Sequence, residues 1–194
     1  MLDVGANIGY YTLIAAPRCH SVYAFEPVSS IYERLILNRR LNNFDNVYCV
    51  NSACSDVDGE RIYVYAADET NTGSSSIIKP PNFSGIVEEV ECITLDKFVE
   101  RENVPYVSVV KIDVEGMEAK VLRGMKEILT NDSPIIVVEI GSEERFKLVG
   151  ESKNELHKYL QDLGYVPFRI AGKNKIERIN GFPPQEADIL FRKE

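Results

Sequence analysis

Carboxylates close several of the apolar runs in this chain. Asp113 and Glu115 follow Val107-Ser108-Val109-Val110-Lys111-Ile112, and Glu139 follows Pro134-Ile135-Ile136-Val137-Val138. Asp3 stands inside the opening run Met1–Val4, directly before the turn Gly5-Ala6-Asn7-Ile8-Gly9, and Glu26-Pro27 ends Ser21–Phe25. An acid at such a strand tip can accept hydrogen bonds from hydroxyls, hold an ammonium group, cap a following helix, or take a proton from an acceptor. Asp113, Glu115 and Glu139 are also hard oxygen donors of the kind that suit Mg²⁺ or Ca²⁺. No diagnostic ligand motif accompanies them, so no metal is assigned. His20 and His157 lie away from the strand tips and are expected at the surface.

These acids need a scaffold that brings the ends of several strands together. Met1 to Tyr11 reads as strand, glycine-bounded turn and helix N-terminus, the helix beginning near Ile8 with its free N–H groups turned toward a ligand. A dinucleotide fingerprint would want a glycine where Asn7 stands and a third glycine after Gly9. A pyrophosphate would be repelled by Asp3, whereas a zwitterion carrying an ammonium group would be attracted. In a nucleotide-binding βαβ unit, the tip of the second strand is where a carboxylate meets the two ribose hydroxyls, so Glu26 is the candidate there, with Pro27 fixing the bend. The end of the third strand, Val47–Ala53, should pass beside the base, with Ser52, Ala53, Ser55 and Asp56 available to read its edge.

The remaining elements follow in order. A short helix from Tyr10 to Ala16 is stopped near Pro17, and Ser29 or Ser30 can cap a helix through Ile31, Leu35, Ile36 and Leu41. Residues 58–103 break the βα alternation: Arg61–Ala66 and Val87–Ile93 alternate as antiparallel strands around the polar stretch Asp68–Ser76, which is either a solvated linker or a flap over an acceptor pocket. Thr94 opens a short helix. The continuous run ending at Ile112 reads as a strand buried on both faces, and Met117 to Leu129 as one helix. Lys153–Leu163 is helical with Gly164 as its cap, and Tyr165–Ile170 and Ala187–Arg192 are closing strands. Alternation of this kind predicts an α/β Rossmann-like fold, a mostly parallel seven-strand sheet with helices on both faces and a small antiparallel insertion, as a single domain over 1–194.

Composition narrows the function classes. With 194 residues, 44% of them hydrophobic, the chain can bury a core. A net charge of −8 disfavours nucleic acid as a partner. The four cysteines form no Cys-x-x-Cys pair, and with only two histidines neither a zinc ribbon nor a disulfide framework is supported. No apolar run is long enough to span a bilayer and no signal peptide is evident, so a cytoplasmic location is expected. Beginning at once with a core strand is unusual, and suggests either truncation or a minimal protein. Oligomeric state is not legible.

Leu2-Asp3-Val4-Gly5-Ala6-Asn7-Ile8-Gly9 resembles the first motif of S-adenosylmethionine-dependent methyltransferases, in the Asp-x-Gly-Ala-Asn-x-Gly form of the FkbM family. Phe25-Glu26-Pro27, Thr94-Leu95-Asp96, Lys111-Ile112-Asp113-Val114-Glu115-Gly116-Met117-Glu118 and Glu139-Ile140 extend the match in order over nearly the whole chain. The resemblance implies a class I methyltransferase fold, S-adenosylmethionine as cofactor, and O-methylation of a hydroxyl on a sugar, glycan or secondary metabolite. Asp3, Gly5, Asn7 and Gly9 would cradle the methionine part, with Tyr10 either packing or lying over it, Glu26 would take the ribose and the Ser52–Asp56 turn the adenine. Asp113 is the leading candidate for orienting the acceptor or taking its proton, ahead of Glu115 and Glu139; it could instead hold the methionine ammonium. A non-catalytic nucleotide-binding or scaffold domain, and an NAD-dependent oxidoreductase, are the alternatives.

Overall fold

The computed structural model describes residues 1–66, 75–172, 175–182 and 185–194. Five strands form the parallel part of the main sheet: β1 (Leu2–Val4), β2 (Val22–Phe25), β3 (Val47–Val50), β8 (Val109–Ile112) and β9 (Ile135–Ile140). β1 lies between β2 and β8, so that Asp3 stands opposite Ala24 on one side and Lys111 on the other. β12 (Ala187–Lys193) runs antiparallel to β9, β10 (Tyr165–Ile170) antiparallel to β12, and β11 (Ile176–Arg178) antiparallel to β10. Among the described residues the sheet thus has eight strands in the order β11-β10-β12-β9-β8-β1-β2-β3. It is mixed, with one strand more than the seven expected; β11 carries no apolar alternation long enough to announce itself.

A second sheet grows from the end of β3. β4 (Ala53–Cys54) pairs in parallel with β7 (Ile86–Ile93), which pairs antiparallel with β5 (Arg61–Ala66), and β6 (Ser75–Ser76) closes the edge. This is the antiparallel insertion, built by alternation that puts Val64, Ala66, Val90 and Cys92 against Val28 and Ile31. Ala67 and residues 68–74 of the polar stretch Asp68–Ser76 lie outside the described residues, as do Lys173-Asn174 and Pro183-Pro184 of the turns before β11 and β12.

The helices differ from expectation in ways that local chemistry explains. α1 (Tyr10–Ala15) starts at Tyr10, since Asn7 and Gly9 before it both have left-handed backbones, and it tightens into a 3₁₀ turn over Ala16–Arg18. α2 (Ser29–Leu41) is not capped by its serines: Val28 is the cap residue, and the backbone N–H and hydroxyl of Ser29 both donate to Glu88 of β7, at 3.0 and 2.7 Å. Its apolar stripe ends early, with Leu41 at 69% exposure. α3 (Leu95–Arg101) opens as expected on Thr94, whose hydroxyl accepts from the Lys97 N–H.

The helix expected over Met117–Leu129 is two helices, α4 (Glu118–Arg123) and α5 (Lys126–Asn131). The break lies at Gly124, where a Cβ would stand 2.0 Å from the carbonyl oxygen of Ser55. Asp96 completes it, its two carboxylate oxygens each accepting at 3.0 Å from the N–H groups of Glu127 and Ile128. An α6 (Glu143–Leu148), capped by Ser142, precedes α7 (Lys153–Asp162). All four cysteines are free, Cys54 and Cys92 being buried. His20 is exposed and His157 half-buried with its ring edge-on to Phe182. No helix among the described residues is long and apolar enough to cross a membrane.

Gly124 has an ordinary negative φ, so its requirement is one of space. Gly124→Ala should therefore cost about 2–3 kcal/mol by forcing backbone apart from backbone. Gly150→Ala, where φ is +74° but nothing lies within 4 Å, should cost only about 1 kcal/mol. Urea denaturation of both variants checks this, and equal losses would contradict the packing argument.

Candidate active site

The strand ends of β1, β2, β3 and β8 open into one cleft of about 680 Å³, measured out to its mouth. Its floor is Val4, Gly5, Phe25 and Glu26, its far wall is Ser52, Ala53, Ile62, Val64 and Ser76 of the second sheet, and Asp113, Val114 and Glu115 form the near wall. This follows from topology, since ligands of open α/β sheets sit at the carboxyl ends of the strands.

The glycine turn is fastened to its neighbours on both sides. The N–H groups of Gly5 and Ala6 both donate to the Phe25 carbonyl, and the Asp113 N–H donates to the Val4 carbonyl at 3.0 Å. Gly5 has φ +77°, and a Cβ there would lie 1.8 Å from the Asp113 carbonyl oxygen. Only glycine lets the two strand ends come this close. Asn7, with φ 51°, donates its backbone N–H to Glu26, and its side-chain oxygen accepts from the Ile8 N–H.

Glu26 is 2% exposed, and its two oxygens accept from the N–H groups of Asn7 and Val28, each at 3.0 Å. Burial pushes its carboxyl up to about 7, against the pull of those two bonds. Each carboxylate oxygen keeps a second lone pair, so the group remains an acceptor facing the cleft. Asn51 ties the backbone here by donating to the carbonyls of Glu26 and Pro27.

Asp113, Glu115 and Glu139 each bring a carboxylate oxygen within 4.8 Å of the others. Two of them carry a cation. Lys111 Nζ lies 2.9 Å from Asp113, and Arg145 of α6 lies 2.5 Å from Glu115 while also reaching Glu186 at 3.5 Å. Among the described residues no cation pairs with Glu139. Burial, then the neighbouring Asp113, pushes Glu139 up to about 8, and burial raises Glu115 against the pull of Arg145. Glu115 holds a left-handed φ of 53°, and the Ser76 hydroxyl donates to its carbonyl. Glu118, 2% exposed, accepts from the Gly116 N–H and fixes the loop from below.

The residues singled out in the sequence divide into two groups. Gly5, Asn7, Glu26, Pro27, Ser52, Ala53, Asp113 and Glu115 line the cleft, and Glu139 stands behind Asp113. Asp3, Gly9, Tyr10, Ser55 and Asp56 do not line it. Asp3 is buried and accepts from the Thr12 hydroxyl at 2.5 Å; burial raises its carboxyl. Tyr10 is 67% exposed, edge-on to Tyr11. Ser55 is buried against Glu60, and Asp56 pairs with Arg123, which holds it below the usual carboxylate range despite its burial. Sequence reasoning missed Arg145, which no motif announces, and the apolar wall of Ile62 and Val64. It quoted Lys111 without a role, although a lysine inside a β-branched run was a signal.

Comparison with known proteins agrees with this architecture. Residues 3–167 match the family model described as the methyltransferase FkbM domain. The chain is 30% identical over 174 residues to the hexuronic acid methyltransferase AglP of Haloferax volcanii, covering 84% of this chain and 67% of that protein. It is 27% identical over 158 residues to methyltransferase 1 of Beauveria bassiana, covering 72% and 64%. The crystal structure of methyltransferase FkbM from Methylobacillus flagellatus shares the fold with a TM-score of 0.61 at 14% identity, over 98% of this chain and 42% of that one. SMU.1697c of Streptococcus mutans, solved in complex with SAH, superposes with a TM-score of 0.56 at 11% identity, over 100% and 87%. This chain therefore spans about two thirds of the curated relatives it matches and less than half of the M. flagellatus protein. With a fold shared with methyltransferases and a family match running from the first strand into β10, the chain belongs to the FkbM methyltransferase family.

Proposed function

We propose that this chain binds S-adenosylmethionine in the cleft at the strand ends and methylates a hydroxyl on a sugar or glycan. The observation that carries the reading is Glu26, a buried carboxylate held by two backbone N–H groups at the tip of β2, beside a glycine turn and an apolar wall. A fixed acceptor there fits two ribose hydroxyls, and Ala53 with Ile62 and Val64 fits the flat face of a base. Gly5 and Asn7 offer a narrow turn with Asp113 opposite, suited to the amino-acid end of the molecule. The similarity to a protein named as a hexuronic acid methyltransferase supports the sugar class of acceptor.

When bound, the cofactor's sulfonium supplies an already electrophilic methyl group. What remains for the chain is to align an oxygen and receive its proton. Glu115, held by Arg145, orients the acceptor, while Asp113, held by Lys111, faces the amino-acid end of the cofactor. Glu139 in its ionised form is the proton acceptor of the three: no cation among the described residues pairs with it, and burial with the neighbouring Asp113 raises its carboxyl to about 8, which makes the carboxylate a stronger base and turnover rise with pH through that range. Metal is not assigned a part.

Isothermal titration with S-adenosylhomocysteine, beside NAD⁺ as control, tests the cofactor. Binding of the first alone is expected, and no binding to folded protein would refute the reading. The affinity should depend on pH with a definite sign. Protonating Glu26 removes an acceptor, so affinity is full above about 7 and falls roughly tenfold per pH unit below it. Glu26→Ala should lose binding without unfolding, and a pH-independent affinity in the parent chain would remove the ribose role. Transfer of labelled methyl to a panel of hydroxylated monosaccharides and glycans tests the reaction. There Glu139→Gln should lower turnover about 10²–10⁴-fold with cofactor affinity kept, the loss typical of a general base. Unchanged turnover would return the role to Asp113.

A further inference from the structure

Lys111 is 5% exposed, in a central strand whose other members are apolar. A buried ammonium is stable only when paired, because its desolvation must be offset by partners held in good geometry. Its partners come from three elements. Asp113, at the end of its own strand, lies 2.9 Å from Nζ. Asp3 is its register partner across β1 and feels its charge. The Tyr11 ring of α1 lies beneath it, 4.5 Å from Nζ to the ring centre. Thr12, one residue on, holds the other side of Asp3.

The ammonium thus offsets the repulsion between two carboxylates of adjacent strands. Asp3 is buried and fixed by Thr12, so it has no room to retreat. Without the ammonium, Asp113 loses the contact that holds it and is the group free to move. Asp113 lines the cleft, whereas Lys111 does not.

We infer that Lys111 is a positioning residue, one that never touches the ligand and yet sets cofactor affinity by holding the Asp113 carboxylate in place against the cleft. The inference rests on the reading of the cleft as an S-adenosylmethionine site. It extends that reading by making binding depend on a chain of contacts from α1 through the sheet.

The test is titration calorimetry with S-adenosylhomocysteine on the parent chain and on Lys111→Met, Asp113→Asn, the double variant and Lys111→Arg, each checked for folding by circular dichroism. Lys111→Met should weaken binding about tenfold, as expected for loss of one charge-assisted contact. Lys111→Arg should recover most of it, since a guanidinium can still pair with Asp113. The double variant should bind no worse than Asp113→Asn, because both changes act on one group. Parent-like binding by Lys111→Met, multiplying losses in the double variant, or no recovery with arginine would each overturn the inference. Should Lys111→Met not fold, Lys111→Gln makes the same comparison. If the parent chain itself fails to bind, the cofactor reading falls, which is a separate outcome from a parent that binds while Lys111 proves irrelevant.

Discussion

The contact between Gly5 and the carbonyl of Asp113 governs the geometry of this molecule. Two neighbouring strands of a parallel sheet normally end with their loops splayed by side chains. Here the absence of a single Cβ lets the turn after β1 lie directly on the end of β8, locked by the Asp113 N–H to the Val4 carbonyl. From that fixed point the turn runs to Asn7, whose N–H reaches Glu26 on the other flank. Three strand ends are thereby set relative to one another by backbone contacts and this one carboxylate.

Charge is then distributed over that frame with little slack. The acids at the cleft are too close to one another to remain ionised unaided in a partly buried site. Lys111 and Arg145 neutralise two of them from opposite directions, one from within the sheet and one from α6. The third is left to share its surroundings with its neighbours. The same economy appears at the far side, where Arg123 draws Asp56 and Glu151 together and keeps the Asp56 acid out of the cleft.

Much of this was legible because strand-end acids interrupt apolar runs, and because a glycine turn followed by a helix has a local signature. Glu26, Asp113, Gly5 and Asn7 are found at the cleft for that reason. Asp3 was harder to place, since the alternation of a strand decides which way a side chain points, and Asp3 faces α1 and Thr12 rather than the cleft. Ser55 and Asp56 belong to the entry of the second sheet, which diverts the chain immediately after Ala53. The break at Gly124 escaped detection because Val121, Leu122, Met125 and Leu129 keep a helical period straight through it. What breaks the helix is the carbonyl of Ser55, far away in sequence. The antiparallel direction of β10 and β12 is likewise a property of pairing, invisible to any single segment.

The second sheet rests on aliphatic residues that follow Glu26 in the chain. Val28, the cap of α2, and Ile31 within it sit just after Glu26 and pack under Val64 of the cleft wall and its strand neighbour Ala66. Val28 also donates the N–H that holds Glu26. Shortening either side chain would open a void, let the wall settle and release the acid together. In a mutational scan these two aliphatic residues would score like ligand contacts, and a map of sensitive positions would draw the site several ångströms wider than it is.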